Sequence, residues 1–181
     1  FFGLVAVMGT YFFQAREVTG LALLAALPVA CTLTCILVVN NLRDIATDRK
    51  AGKTTLGVVM GDRGTRRWFG ILLLAAWAAM AASLLAEAPF GAAALGAGIP
   101  LGILVYRPIH RGTSGRDLNP VLKATARYHL VLGLLWAGAL AASLWKQRSR
   151  RAGSAASSGC KSITSRIWRR FMRPADFAVR M

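Results

Sequence analysis

Long apolar runs separated by short polar segments are the feature that most limits how this chain can fold. Because about 20 mostly apolar residues cross a bilayer as a helix, and because a backbone in lipid must satisfy its own hydrogen bonds, the pattern predicts an all-α, polytopic transmembrane helix bundle of about five spans. The first run is short, which is consistent with a span cut at its start. The five runs are Phe1–Gln14, Leu21–Leu42, Phe69–Ala86, Phe90–Tyr106 and Tyr128–Trp145.

The same pattern predicts two regions of different character. Residues 1–145 hold all five apolar runs, so we expect them to form the transmembrane bundle. Residues 146–181 are basic, with a Ser/Gly-rich stretch at Ala152–Gly159, and this composition predicts a disordered or interfacial tail. The chain begins at Phe1 inside an apolar run, without Met or a charged leader. We therefore expect it to be the later part of a longer chain.

The distribution of the net charge of +16 separates a membrane protein from a nucleic-acid binder. The basic residues alternate with the apolar runs and do not form one soluble basic face, so no nucleic-acid partner is expected. Segment Arg43–Trp68 holds seven basic residues and Arg107–Arg127 holds five, whereas the links 15–20 and 87–89 hold one between them. By the positive-inside rule, both basic segments face the cytoplasm. The tail from Lys146, with ten basic residues, would emerge on the opposite side against that rule.

The first basic segment opens with two carboxylates, Asp44 and Asp48. On a helix, residues four apart share a face, with Cβ atoms about 5–6 Å from each other. Mg²⁺ typically takes one or two carboxylates together with substrate phosphates. Arg43, Lys53 and Asn41 are the nearest groups to bind a diphosphate, Arg as a fork and Lys as a point charge. The pattern predicts a Mg²⁺ and diphosphate site, and its place beside apolar helices favours a lipid diphosphate.

A second interpretation of these residues stays open at this point. A polar segment after a spanning helix ordinarily carries mixed charge, so Asp44 and Asp48 would then pair with neighbouring cations in water. Spacing alone does not separate the two interpretations.

The motif N-N-x-R-D-x-x-T-D-x-x-A-G-K, within Asn40–Leu56, resembles the second aspartate motif of the UbiA-type membrane prenyltransferases. In detail it is similar to the 1,4-dihydroxy-2-naphthoate polyprenyltransferases of menaquinone synthesis. Two further patches agree, Gly9–Gln14 and Asn119–Arg127. The resemblance covers about Phe1–Trp145, and nothing after Lys146 matches.

The resemblance implies a bundle of nine spans in the bacterial inner membrane, with two aspartate motifs facing each other on the cytoplasmic side. Asp44 and Asp48 would be Mg²⁺ ligands, and Arg43 and Lys53 diphosphate contacts. The implied reaction is prenyl transfer from a polyprenyl diphosphate to 1,4-dihydroxy-2-naphthoate with decarboxylation, which gives demethylmenaquinone. Alternative acceptors are 4-hydroxybenzoate and homogentisate. The lipid bilayer is the remaining partner.

The chain departs from the family pattern in one large respect. The first aspartate motif is missing, and the acidic residues outside the second motif and Asp62 are isolated: Glu17, Glu87, Asp117 and Asp176. We therefore expect the chain to match the C-terminal half of such an enzyme and to be inactive alone. The alternative is a non-catalytic membrane remnant or component with the same helices. An N-D-x-x-D run encoded upstream of Phe1 would favour the enzyme.

Overall fold

The computed structural model describes residues 3–85 and 91–171, and the regular structure of these residues is helical throughout. A short 3₁₀ turn, Gly115–Asp117, precedes the last helix. The prediction of an all-α polytopic bundle is confirmed, because almost all described residues of each apolar run lie within one helix. These helices are α1 (Leu4–Ala15), α2 (Gly20–Lys50), α3 (Leu56–Leu85), α4 (Gly91–His110) and α5 (Leu118–Phe171).

Three helical segments among the described residues are long and apolar enough to cross a membrane. They are Gly20–Lys50, Ala92–His110 and Gly115–Arg150. Helix α1 is apolar but has only 12 residues. Helix α3 carries charged residues in its first turns and meets the end of the described range at Leu85. Together the helices define an integral membrane protein, while the predicted link Glu87–Pro89 lies outside the described residues.

The chain divides into two compact units, Phe1–Ala141 and Ala142–Met181. The second unit contains the last part of α5, which ends at Phe171. Residues 172–181 lie outside the described range, and part of the predicted tail falls there. The division at residue 145, and the disordered or interfacial character of the tail, therefore stay predictions.

The core of the first unit lies between α2, α3, α4 and the first turns of α5. Inside a bilayer the helices gain little from the hydrophobic effect, because lipid tails are as apolar as Leu, so close packing carries the association. Large side chains from all four helices meet in this core. The most deeply buried include Val39, Phe69, Met80, Ile109, Leu118 and Trp136.

Hydrogen bonds between helices help to fix their relative orientation. The Trp77 indole N–H donates to the Tyr128 hydroxyl at 3.0 Å, which ties α3 to α5. The Trp136 indole N–H donates to the carbonyl oxygen of Ala25 at 2.9 Å, which ties α5 to α2. Such bonds stabilise membrane helix pairs because a polar group left unpaired in hydrocarbon is costly.

Helix α2 is longer than a bilayer needs. Its 31 residues extend about 46 Å at 1.5 Å per residue, against a hydrocarbon thickness of about 30 Å. Its last turns, Arg43–Lys50, therefore project beyond the apolar span. They contain no Gly or Pro and many good helix formers, so the helix continues past Leu42, where the apolar run ends, into the first basic segment.

Two interruptions of the helical backbone follow in the first basic segment, and each contains a glycine. Residues 51–55 are non-helical. Helix α3 then starts at Leu56 and breaks at Gly61, whose backbone angles of φ 67° and ψ 177° are non-helical. That combination is essentially restricted to glycine.

The two basic segments meet at one end of the bundle, which we call the basic end. Arg66 of α3 forms a bidentate pair with Asp62, with both N–O distances at 2.7 Å. The same guanidinium donates to the carbonyl oxygens of Ile109 and Thr113. It thereby joins α3 to the last turn of α4 and to the segment that follows that helix. The prediction that both segments lie on one side of the membrane is consistent with this contact.

Candidate functional site

The predicted carboxylates lie on the projecting end of α2. Asp44 and Asp48 are one helical turn apart, and Asn41 precedes Asp44 by three positions. Residues at these spacings line one face of a helix. Asn41 and Asp44 are half-buried, and Asp48 is only 8% exposed. The helix therefore presents two carboxylates and an amide in one row at the basic end.

Arg43 is held against Asp44 by two hydrogen bonds. Its Nε donates to Oδ1 at 2.8 Å and its Nη2 donates to Oδ2 at 2.7 Å. The guanidinium also donates to the side-chain oxygen of Asn40 at 2.9 Å and to that of Asn119 at 3.1 Å. Since Asn119 belongs to α5, the second basic segment takes part in this site.

Asp48 has its own partners on the chain that follows α2. The Lys53 ammonium lies 3.4 Å from Oδ1 of Asp48, and the Thr55 hydroxyl donates to Oδ2 at 3.3 Å. Lys53 reaches back because Gly52 takes a positive φ of 68°, a conformation that costs other residues free energy. The Lys53 backbone N–H also donates to the carbonyl oxygen of Asp48 at 2.9 Å. The A-G-K part of the motif thus forms the turn that places this cation.

The charge of Asp44 is stabilised by its neighbour. The hydrogen bond from Arg43, above all, lowers the pKa of Asp44 from its ordinary value. The carboxyl lies beyond the apolar span, where it meets both the guanidinium and water. Asp44 is therefore ionised at neutral pH, which is the form that binds a metal cation.

The donor set can be compared with the needs of Mg²⁺. Asp44 and Asp48 supply two carboxylates, the number that Mg²⁺ commonly takes from a protein beside phosphate oxygens and water. Among the described residues, no group of three or more His, Cys, Asp or Glu side chains could hold a metal ion. The two carboxylates are therefore compatible with part of a divalent-metal site, in which phosphate oxygens and water would supply the remaining ligands.

The structure brings four of the predicted site residues into direct contact in two pairs, Arg43 with Asp44 and Lys53 with Asp48. Asn41 lies on the same helix face. Both cations contact carboxylates, so the charge pairing of the second sequence interpretation is present in the structure. Asn119 and Thr55 were not predicted as site residues, although the patch Asn119–Arg127 had been noticed for its resemblance.

This geometry defines the class of protein. It is a helical integral membrane protein with paired carboxylates and cations at one end of its bundle. The UbiA prenyltransferase family model matches residues 1–131. The chain belongs to the UbiA prenyltransferase family.

Curated relatives narrow the comparison. The chain is 40% identical over 140 residues to a 1,4-dihydroxy-2-naphthoate octaprenyltransferase of Mycobacterium leprae, covering 77% of this chain and 47% of the relative. It is 42% identical over 141 residues to that of Mycobacterium tuberculosis, with 78% and 48% covered. The Escherichia coli protein of the same name is 32% identical over 153 residues, with 80% and 47% covered. The chain thus spans about half the length of these relatives, and no solved structure matches it.

Proposed function

We propose that this chain carries the second aspartate half of a Mg²⁺-dependent membrane prenyltransferase. The reaction is prenyl transfer from a polyprenyl diphosphate to 1,4-dihydroxy-2-naphthoate with decarboxylation, which gives diphosphate, CO₂ and the quinol form of demethylmenaquinone. The observation that carries this proposal is the pair Asp44 and Asp48, one helical turn apart at the basic end and each in contact with a cation. The names of the relatives support the choice of acceptor.

Each site residue has a role in this proposal. Asp44 and Asp48 hold Mg²⁺, and Mg²⁺ when bound supplies the charge stabilisation that a departing diphosphate requires. Arg43 and Lys53 turn from the carboxylates toward diphosphate oxygens, and Asn41 hydrogen-bonds to the same group. The allylic C–O bond breaks with its electron pair on the diphosphate. The electron-rich ring then bonds to the allylic carbon and loses its carboxyl group as CO₂.

The proposal extends to location. We place the protein in the bacterial inner membrane with the basic end in the cytoplasm, because that end carries the two segments with seven and five basic residues. A soluble acceptor made in the cytoplasm then meets the lipid diphosphate at the mouth of the bundle.

Substitution of the carboxylates in the full-length gene product tests the proposal. Asp44→Asn and Asp48→Asn each remove one carboxylate charge while keeping the side-chain shape. We expect each to lower Mg²⁺-dependent prenyl transfer to a radiolabelled acceptor by at least a hundredfold, as is typical when a transition-state charge contact is lost. The matched control is Asp117→Asn, an exposed carboxylate outside the motif. Full activity in both motif variants would contradict the proposal.

The same assay selects the acceptor. Membranes containing the full-length protein are supplied with 1,4-dihydroxy-2-naphthoate, 4-hydroxybenzoate or homogentisate, together with one polyprenyl diphosphate. Product from the naphthoate alone supports the proposal. If only one of the other two acceptors gives product, that acceptor takes the place of the naphthoate in the proposal. If none of the three acceptors gives product, the non-catalytic alternative is supported.

A further inference from the structure

We propose that the groove between α4 and α5 binds an anionic membrane phospholipid, with its phosphate on Lys123 and Arg127 and an acyl chain on the apolar walls. The groove is a cavity of about 380 Å³. Its lining residues include none of those that form the carboxylate site, and the inference does not depend on the proposed prenyl transfer. Its main lining residues are Leu101, Leu104 and Val105 from α4 and Lys123, Arg127 and Val131 from α5.

The polarity of the groove changes along its length. Lys123 lies near the start of α5, whereas Val131 lies further into the apolar run. On the facing helix, Leu104 lies nearer to the basic end than Leu101 does. A ligand that follows the groove therefore meets charge at the membrane surface and hydrocarbon below it. This order matches a phospholipid with its headgroup at the interface.

The two cations are available to a ligand. Lys123 and Arg127 are four residues apart on α5, so their side chains emerge on one face about 5–6 Å apart at Cβ. Both are exposed, and neither forms an ion pair in the part of the chain that the structure describes. Basic pockets between transmembrane helices, near the membrane surface, are a known form of anionic headgroup site.

A second groove on the same chain offers a contrast. The cavity between α1 and α2 has a similar volume of about 420 Å³, but its lining residues are uncharged. It can take hydrocarbon without selecting a headgroup. We therefore expect charge selectivity only in the groove between α4 and α5.

Native mass spectrometry of the full-length protein in detergent tests the inference. The probes are phosphatidylglycerol and phosphatidylcholine with identical acyl chains. We expect phosphatidylglycerol to bind more tightly, and its affinity to fall about fivefold for each cation removed, hence about 25-fold in Lys123→Gln/Arg127→Gln. The control Arg111→Gln/Arg116→Gln removes two exposed cations outside the groove and should change the affinity less than twofold.

Two further experiments test lipid binding in the groove even if the double variant does not fold. Leu104→Trp narrows an exposed wall of the groove while keeping both charges, and we expect it to weaken phosphatidylglycerol binding at least threefold. Equal binding of the two lipids, or unchanged binding in the charge or wall variants, overturns the inference. Displacement of the lipid by farnesyl diphosphate at equimolar concentration also overturns it, because the groove would then be a substrate site.

Discussion

The Arg43 guanidinium donates to the side-chain oxygen of Asn119 at 3.1 Å, although 76 positions separate the two residues in the sequence. This bond joins the aspartate helix α2 to the start of α5. It also leaves Arg43 with acceptors on three residues, because Asp44 and Asn40 bond to the same group. The direction of this cation is therefore set jointly by two segments of the chain.

Asn119→Ala removes the acceptor on α5. A hydrogen bond to a charged group contributes about 1.5–3 kcal/mol, and because Asn119 is exposed we expect the lower end, a rise of about tenfold in KM for the polyprenyl diphosphate. Steady-state kinetics of the full-length enzyme measures this. Asn119→Asp keeps an acceptor for Arg43 and should restore most of the affinity. An unchanged KM in Asn119→Ala would contradict the positioning role.

Gly52→Ala tests the turn that returns Lys53 to Asp48. The positive φ of 68° at Gly52 costs a residue with a Cβ about 1 kcal/mol, which corresponds to a fall of about 2–4 °C in Tm for a domain of this size. Gly52→Asn should lower the Tm less, since Asn tolerates this backbone conformation. Thermal unfolding in detergent compares the two variants. An equal fall in Tm in both variants would show that the backbone conformation of Gly52 is not the cause of the destabilisation.

Asp62→Asn tests the ion pair that Asp62 forms with Arg66 on α3. The hydrogen bond from Arg66 is the main cause that lowers the pKa of Asp62 below its ordinary value of 3.8. A lowered folded-state pKa means that the pair stabilises the fold above about pH 4, and that this stabilisation is lost as the pH falls through the folded-state pKa.

The size of this effect is limited by exposure, because the Asp62 side chain is 53% exposed. We expect Asp62→Asn to lower the unfolding free energy by at most about 1 kcal/mol at pH 7, and the difference from wild type to shrink below pH 4. Unfolding midpoints at pH 7 and pH 3 test this. A difference that grows in acid would refute the assignment.

Tyr128→Phe tests the bond between α3 and α5 inside the membrane. It removes the acceptor of the Trp77 indole N–H, which lies 3.0 Å away. Double-mutant cycles in a membrane protein give about 0.6 kcal/mol for such bonds and at most about 1.7. We expect a coupling free energy in that range between Tyr128→Phe and Trp77→Phe. Strict additivity of the two substitutions would show that the bond contributes nothing.

A labelling experiment tests the proposed orientation of the protein in the membrane. After Cys31, Cys35 and Cys160 are replaced by Ser, single cysteines are placed at Ser114, near the basic end, and at Val18, in the link after α1; both sites are exposed. We expect a membrane-impermeant maleimide to label Val18→Cys in intact spheroplasts and Ser114→Cys only in inside-out vesicles. The reverse pattern would place the basic end outside the cell.

The sequence predicted the features that depend on local pattern. Apolar runs located the helices, and the spacing of Asp44 and Asp48 correctly put both carboxylates on one helix face. The extension of α2 to Lys50 was not predicted, because the apolar run ends at Leu42, although Arg43–Lys50 contains no helix breaker. The contact of Asn119 with Arg43 was not predicted either, since it depends on how two distant helices pack. The contacts of Arg66 with the carbonyl oxygens of Ile109 and Thr113 were also not predicted, because nothing local in the sequence shows that the end of α4 lies beside it.

The break at Gly61 has a mechanical consequence. A continuous α-helix transmits twist along its axis, but α3 loses its regular geometry at this residue. The short segment Leu56–Met60 follows the Lys53 turn. Rotation of this segment about the helix axis is therefore less directly coupled to the stretch whose Phe69 and Leu73 pack into the core. A shift of the turn around the carboxylates therefore need not be transmitted as helix rotation to the buried part of α3.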